Sequence, residues 1–505
     1  MEVFVKNCNE CKLSFKNILL SLIPLLGLSL WFFIGFPFAN HNESLSWVWQ
    51  FDKYSFLDVF VNRIQPDTTY RPLALATAWL SYRLSGNLGP IQIFNYLVLS
   101  ISWIIVYFSI KEKRVFTFIF LILGGIFFTC YIYLFHLHGV CYSFLPMVVA
   151  VMFMLGSRLL DLPKLAVMAL AVIVLALYHP YSMPLFIAYT TGLIIEKYKD
   201  LSRTKFIGAV IIIGIAFIFI KLLASAKVGI PFADSVKGLF VSYKMVEINK
   251  ISSMFSLLLV IITVFSIQLP VFARLLSIFL CLCVSVVLLV KFSVPVLMVW
   301  VVVCMIKMLV MRKWSIFLLI AGAGLFPLIT GLGSPTYTFL ALMVCGIAAS
   351  INNEQLDDKL KVIINPKIGF FIAISIITII LVLNNGIRIP VISKLANPIL
   401  SEKEKTHQFE SILSWFLNSQ YKDYRLVFIR EAGSPSKSSN ALNGRQLRPP
   451  TQQQWVDAYI NAKRGSVNTE NKLFVCFGNE KVDGAKEVFA IPGKFNGCAR
   501  VFLPS

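Results

Sequence analysis

Apolar residues along this chain fall into separate blocks of about 16 to 20, parted by short polar punctuation, and this pattern continues to residue 384. A helix of that length rises about 1.5 Å per residue, close to the roughly 30 Å hydrocarbon thickness of a bilayer. The pattern predicts about thirteen spanning helices: 18–36, 90–109, 115–134, 141–157, 163–178, 180–196, 206–223, 254–270, 273–290, 292–309, 314–331, 335–351 and 367–384. Pro180 divides 163–196 into its two halves. No small-residue cleavage site follows the first block, so it is expected to stay as the first span.

Two stretches break the rhythm. In the loop 37–89, Phe51, Tyr54, Phe56, Leu57, Phe60, Val61 and Ile64 recur at three- and four-residue spacing. That spacing predicts a helix lying in the membrane interface over Phe51–Ile64, and Leu73–Leu84 predicts a second. Beyond residue 385 the apolar blocks end. Helical patterns at 402–418 and 452–463, with strand-like runs at Arg425–Ile429 and Lys472–Phe477, predict a small α/β domain over 385–505. The fold class expected is therefore a polytopic α-helical membrane protein, residues 1–384, carrying a small α/β C-terminal soluble domain.

Composition agrees with that class. The 505 residues are 57% hydrophobic and only 14% charged, against about a quarter charged in a soluble domain. A net charge of +21 raises nucleic acid as a partner, but the Lys and Arg residues are scattered through short loops rather than gathered in one block. Sorting the loops by side explains them better. With Lys6, Lys12 and Lys16 cytoplasmic, the same side receives Lys111–Arg114, Arg158–Lys164, Glu196–Lys205, Arg274, Lys307–Lys313 and Lys359–Lys367. The positive-inside rule expects that arrangement. It makes 37–89, 224–253 and the tail external, although 224–253 carries four lysines against one Asp and one Glu.

The ten cysteines add little chemistry. Cys8 and Cys11 form one CxxC without the second pair a zinc site needs, and Cys130, Cys281, Cys283, Cys304 and Cys345 sit in apolar blocks as space-fillers. Cys476 and Cys498 lie in the tail, where an oxidising compartment would let them pair.

Candidate chemistry gathers in the first external loop. A carboxylate at the exit of the first span can deprotonate a sugar hydroxyl at the membrane surface, which makes Glu43 the first candidate base and Asp52 the second. Asp58 and Asp67 read as surface or turn residues. A lipid phosphate gathers charge as its sugar departs and needs a cation. Arg71, beside the rigid Pro72 in the run Tyr70-Arg71-Pro72-Leu73, suits it best, with Arg63, Lys221 and Lys227 behind it. His41, Tyr70, His138 and His179 are candidates for hydrogen bonds to sugar or phosphate. No carboxylate or cysteine accompanies the histidines at ligand spacing, so no metal and no cofactor is expected.

A short basic N-terminus, one span, an acidic external loop (Asn42-Glu43, Asp52) with interfacial helices, the Tyr70–Leu73 run, many short-looped spans and an external tail together resemble the GT-C class of integral-membrane glycosyltransferases. They look most like the bacterial glucosyltransferases that modify O-antigen in serotype conversion. The Asp-x-Asp pair common in that class is not evident in the loop. The resemblance implies an undecaprenyl-phosphate-linked sugar, glucose, as donor and a lipopolysaccharide O-antigen acceptor. It also implies inverting attack with Glu43 or Asp52 as base, and partner enzymes that make and flip the donor. An O-antigen polymerase and a lipid-linked glycan transporter or flippase are the alternatives. A transporter is expected to hold ionisable groups in mid-membrane, whereas the charges here fall at predicted span ends.

Overall fold

The computed structural model describes residues 25–36, 51, 54–61, 71–85, 89–126, 144–156, 162–223, 232–247, 250–267, 270–292, 294–330, 335–360, 364, 366–385, 387, 389–428, 471–477, 484–495 and 497–504. In chain order the helices are α1 Leu26–Gly35, α2 Phe56–Val61, α3 Pro72–Ser85, α4 Gly89–Ser109, α5 Lys113–Ile126, α6 Phe144–Gly156 and α7 Leu162–Ala176. There follow α8 Ser182–Lys197, α9 Arg203–Leu223, α10 Phe232–Val246, α11 Lys250–Phe265, α12 Val271–Phe292 and α13 Val296–Val310. The last are α14 Trp314–Thr330, α15 Pro335–Ser350, α16 Glu354–Lys359, α17 Pro366–Asn384 and α18 Pro390–Asn418.

Every apolar block expected from the sequence carries one of these helices, so the chain is mostly helical as anticipated. Among the described residues Gly89–Ser109 alone is both long and apolar enough to cross a bilayer, while stretches such as Phe144–Met154 and Pro163–Ala176 are 10–17 residues. Polar or proline-marked ends cut the helices short: α7 stops at Ala176 ahead of His179-Pro180, and α13 starts after Pro295.

The helices bury one continuous core that runs from Trp31 in α1 through Trp103, Phe120, Tyr243 and Trp300 to Ile399 in α18. Large apolar side chains remain exposed outside it. On α12 Val271, Phe272, Leu275, Phe279 and Val286 form an outward stripe, and α17 presents Phe370, Phe371, Ile374, Ile377 and Leu381. Two tight crossings organise the interior. Gly192 of α8 approaches α14 so closely that a Cβ there would lie 2.3 Å from the Ser315 Cα, and Gly346 of α15 faces the Phe120 ring.

The ends of the bundle are tied by side chains that reach between elements. Asp357 of α16 accepts the N–H groups of Arg114 (2.7 Å) and Val115 (3.1 Å) at the start of α5, and its other oxygen pairs with the Arg114 guanidinium at 3.1 Å. Lys111 pairs with Glu354, and Glu112 accepts the Asn352 N–H at 3.0 Å. Lys307 donates to the carbonyls of Ala349 (3.0 Å) and Ile351 (2.7 Å), closing α15. Glu196 accepts both the N–H and the hydroxyl of Ser315 at 2.6 Å. Residues 111–115, Lys307 and 349–357 thus meet at one end of the bundle.

The stretch 224–253, expected as a loop, holds the whole of α10 and the start of α11. Tyr243 and Val246 of α10 are buried, and Tyr243 approaches Gly324 of α14. After α10, the buried Glu247 accepts the Leu297 N–H at 2.9 Å, capping α13. Burial pushes that carboxyl above its ordinary value, and the hydrogen bonds from Ser253 and Leu297 oppose the shift.

The tail forms the expected α/β unit with more strands than were predicted. Strands β1 Arg425–Phe428, β2 Lys472–Phe477, β3 Ala485–Ile491 and β4 Ala499–Pro504 lie in the order β1-β2-β4-β3, with β1 and β2 parallel and the other pairs antiparallel. Phe409, Ile412, Leu413 and Phe416 of α18 cover this sheet, while Ala396 and Ile399 of the same helix belong to the main core. Twenty-nine residues of unbroken helix, about 43 Å at 1.5 Å per residue, thus carry the sheet on the bundle. Lys403 fastens the joint by donating to the Phe36 carbonyl at 2.9 Å, at the end of α1. Cys476 and Cys498 are both thiols, so no disulfide joins them.

Candidate functional site

The site is built where α3 meets the break between α7 and α8. Pro72 opens α3, its fixed φ suited to the first helical position, and the Arg71 carbonyl accepts the Leu75 N–H at 3.1 Å. Arg71 therefore sits at the head of the helix. The next free N–H, that of Leu73, donates to the Leu177 carbonyl at 3.2 Å. One turn on, the Thr77 hydroxyl meets the Tyr178 hydroxyl at 3.2 Å. Tyr178 in turn stacks on Phe144 of α6, ring centroids 3.6 Å apart. Those contacts dock α3 onto the bundle.

Residues 177–181 make a tight turn because Pro180 cannot continue the α7 ladder. The His179 N–H still bonds to Leu175 (3.1 Å), and the His179 carbonyl accepts the N–H (3.0 Å) and hydroxyl (2.8 Å) of Ser182 in the first turn of α8. The imidazole is folded inward with 4% of its surface exposed. Its Nδ1 accepts the Tyr181 N–H at 3.2 Å, which puts the ring proton on Nε2. Burial first, and the nearby Arg71 charge second, hold the imidazole well below its ordinary value, so it is neutral at pH 7. The Tyr181 hydroxyl donates to the Gly322 carbonyl and anchors the turn to α14.

A small apolar cluster roofs this turn: Phe51, Val59, Ala74, Leu75, Ala78 and Ile91. Trp79 donates to the Tyr54 carbonyl at 3.0 Å and carries Arg83 over its ring at 5.4 Å. Leu57 and Leu84 stand out from the roof, 67% and 79% exposed. The helix expected over Phe51–Ile64 begins later than the spacing suggested. Asp58 accepts the N–H (3.1 Å) and hydroxyl (2.6 Å) of Ser55, and Ser55 accepts the Asp58 N–H, so the cap falls at Ser55. Asp58 is thus a helix-start residue, as expected of a turn position.

No family model, curated protein or solved structure matches this chain. The site's chemistry has to speak for itself. Of the residues singled out from sequence, Arg71 and His179 are brought together across 108 positions. His41, Glu43, Asp52, Arg63, Tyr70, His138 and Lys227 lie outside the described residues. Lys221 falls in α9. Among the described residues no cluster of His, Cys, Asp or Glu has the makings of a metal site. Thr77 and Tyr178 were missed by sequence reasoning; their hydroxyls join elements far apart in the chain, and neither falls in a spacing pattern that signals a site.

A guanidinium beside a neutral imidazole suits a phosphate ester. The cation attracts the anionic oxygens, and an uncharged Nε2–H donates without adding a second charge that the buried setting would penalise.

Proposed function

We propose that this chain is an inner-membrane glycosyltransferase that moves a sugar, glucose, from a polyprenyl-phosphate carrier to an O-antigen acceptor on the periplasmic face. One observation carries the reading: Arg71 stands at the head of α3 beside the buried, neutral His179, in a bundle whose α12 and α17 expose apolar stripes that suit lipid contact. Exposed apolar area on that scale is unfavourable in water and suits lipid. In this reading all the expected blocks cross the membrane, the shorter helices being completed by their flanking residues and by local thinning of the bilayer.

The mechanism follows from the charges. Arg71 holds the phosphate and stabilises the charge it gathers as the glycosidic bond breaks, with His179 donating a hydrogen bond from Nε2. A carboxylate of the first external loop, Glu43 or Asp52, takes the proton of the acceptor hydroxyl, which attacks the anomeric carbon from the opposite face and inverts it. Enzymes that make and flip the carrier supply the donor.

Mass spectrometry of lipopolysaccharide from cells with and without the chain tests this. The reading expects one hexose fewer per O-antigen repeat when the chain is absent, with the number of repeats unchanged. A shift in repeat number points to a polymerase, and loss of all O-antigen points to a flippase; either result rejects it.

A further inference from the structure

We propose that Thr77 and Tyr178 determine which sugar is accepted, by reading the C3–C4 diol of the hexose on the carrier; the assignment rests on the function proposed above. Their hydroxyls meet at 3.2 Å where α3 docks against the turn that carries His179. Docking alone does not call for them. The bond from the Leu73 N–H to the Leu177 carbonyl and the stack of Tyr178 on Phe144 already hold the helix to the turn, and Val and Phe would fill the same volume. Exchanging a bonded polar pair for apolar groups of the same shape is nearly neutral for stability, so packing does not explain why both are hydroxyls.

Their chemistry selects the occupant. The mutual hydrogen bond uses one of the two protons, which leaves one O–H to donate and the remaining lone pairs to accept. Two adjacent sugar hydroxyls, each donor and acceptor at once, answer that pair, and both partners are uncharged. Thr77 and Tyr178 are half-buried, neither sealed in the core nor open to bulk water. Position selects the end of the sugar. Leu73 and Thr77, one turn apart, share the face of α3 turned to residues 177–178. Six residues separate Arg71 from Thr77, about 9 Å of helix rise, room for one hexose beyond a phosphate at the helix head. In a pyranose linked to that phosphate through C1, C4 lies straight across the ring. Tyr178 directly precedes His179, so the turn that offers the imidazole to the phosphate offers the phenol to the far side of the sugar.

The test uses the full chain in phosphatidylcholine nanodiscs, titrated with undecaprenyl phosphate bare, bearing glucose, or bearing 4-deoxyglucose. The wild type is expected to bind the glucosyl carrier about tenfold or more tighter than the other two. The double variant Thr77→Val/Tyr178→Phe is expected to bind all three alike, with its affinity for the bare carrier and its unfolding midpoint those of the wild type. A glucose preference retained in the double variant, or 4-deoxyglucose bound as tightly as glucose by the wild type, overturns the assignment and leaves the phosphate site standing. An equal loss for every carrier in the double variant shows a docking role only and also overturns it. No binding of the bare carrier by the wild type overturns the proposed function and the assignment with it.

Discussion

At the scale of single residues the chemistry turns on two groups set against each other. His179 is buried and held neutral, with its folded value well below the ordinary one of about 6.5. The sign follows from linkage: between the folded value and about pH 6.5 the unfolded chain binds a proton that the folded chain refuses, so stability is full above that pH and falls as pH drops below it. Unfolding midpoints of the detergent-solubilised protein should decline from pH 7 to pH 5, and His179→Gln should flatten part of that decline. An unchanged slope in the variant would show that the imidazole is not the group responsible. Glu247 leans the other way, because its carboxyl is raised by burial, so its ionisation costs stability as pH rises through the folded value.

At the scale of elements, helices are joined through their ends and through close crossings. Gly192 lets α8 reach the backbone of α14, where Ser315 lies 2.3 Å from the place a Cβ would occupy. Backbone cannot give way as a flexible side chain does, so Gly192→Ala should cost about 1–3 kcal/mol, read as a lowered unfolding midpoint. Asp357 holds two N–H groups and a guanidinium at the start of α5. Removing it in Asp357→Ala leaves those donors without their acceptor and should cost about 1–3 kcal/mol. If the midpoint does not move, water has replaced the carboxylate at that end. How much of this was readable beforehand depends on distance along the chain. A bilayer-length apolar run is a property of one segment, so every predicted block holds a helix. α10 was hidden because Lys237 and Lys244 made residues 224–253 read as a charged loop. β3 was hidden because a bulge between Glu487 and Phe489 breaks the two-residue alternation that marks a strand.

At the scale of the whole molecule, α3, the α7–α8 turn and the long strut α18 belong to one end of the chain's architecture, and the ends of α5, α13, α15 and α16 that are tied by ion pairs and hydrogen bonds belong to the other. The sorting of basic loops had already grouped residues 111–114 with 307–313, since a charge bias needs no knowledge of contacts. It did not foresee that Arg71 and His179 share a site, because nothing local links positions 108 apart. The central claim is sugar transfer from a phosphate held at Arg71. The measurement that reaches it most directly is the rate of labelled glucose transfer from undecaprenyl-phosphate-glucose to lipopolysaccharide in membranes bearing matched amounts of wild type, Arg71→Lys or Arg71→Ala. The account predicts transfer by the wild type, a loss in Arg71→Ala of about tenfold or more in kcat/KM for the donor, and partial recovery in Arg71→Lys. Equal rates in all three, or no transfer by the wild type, would contradict it.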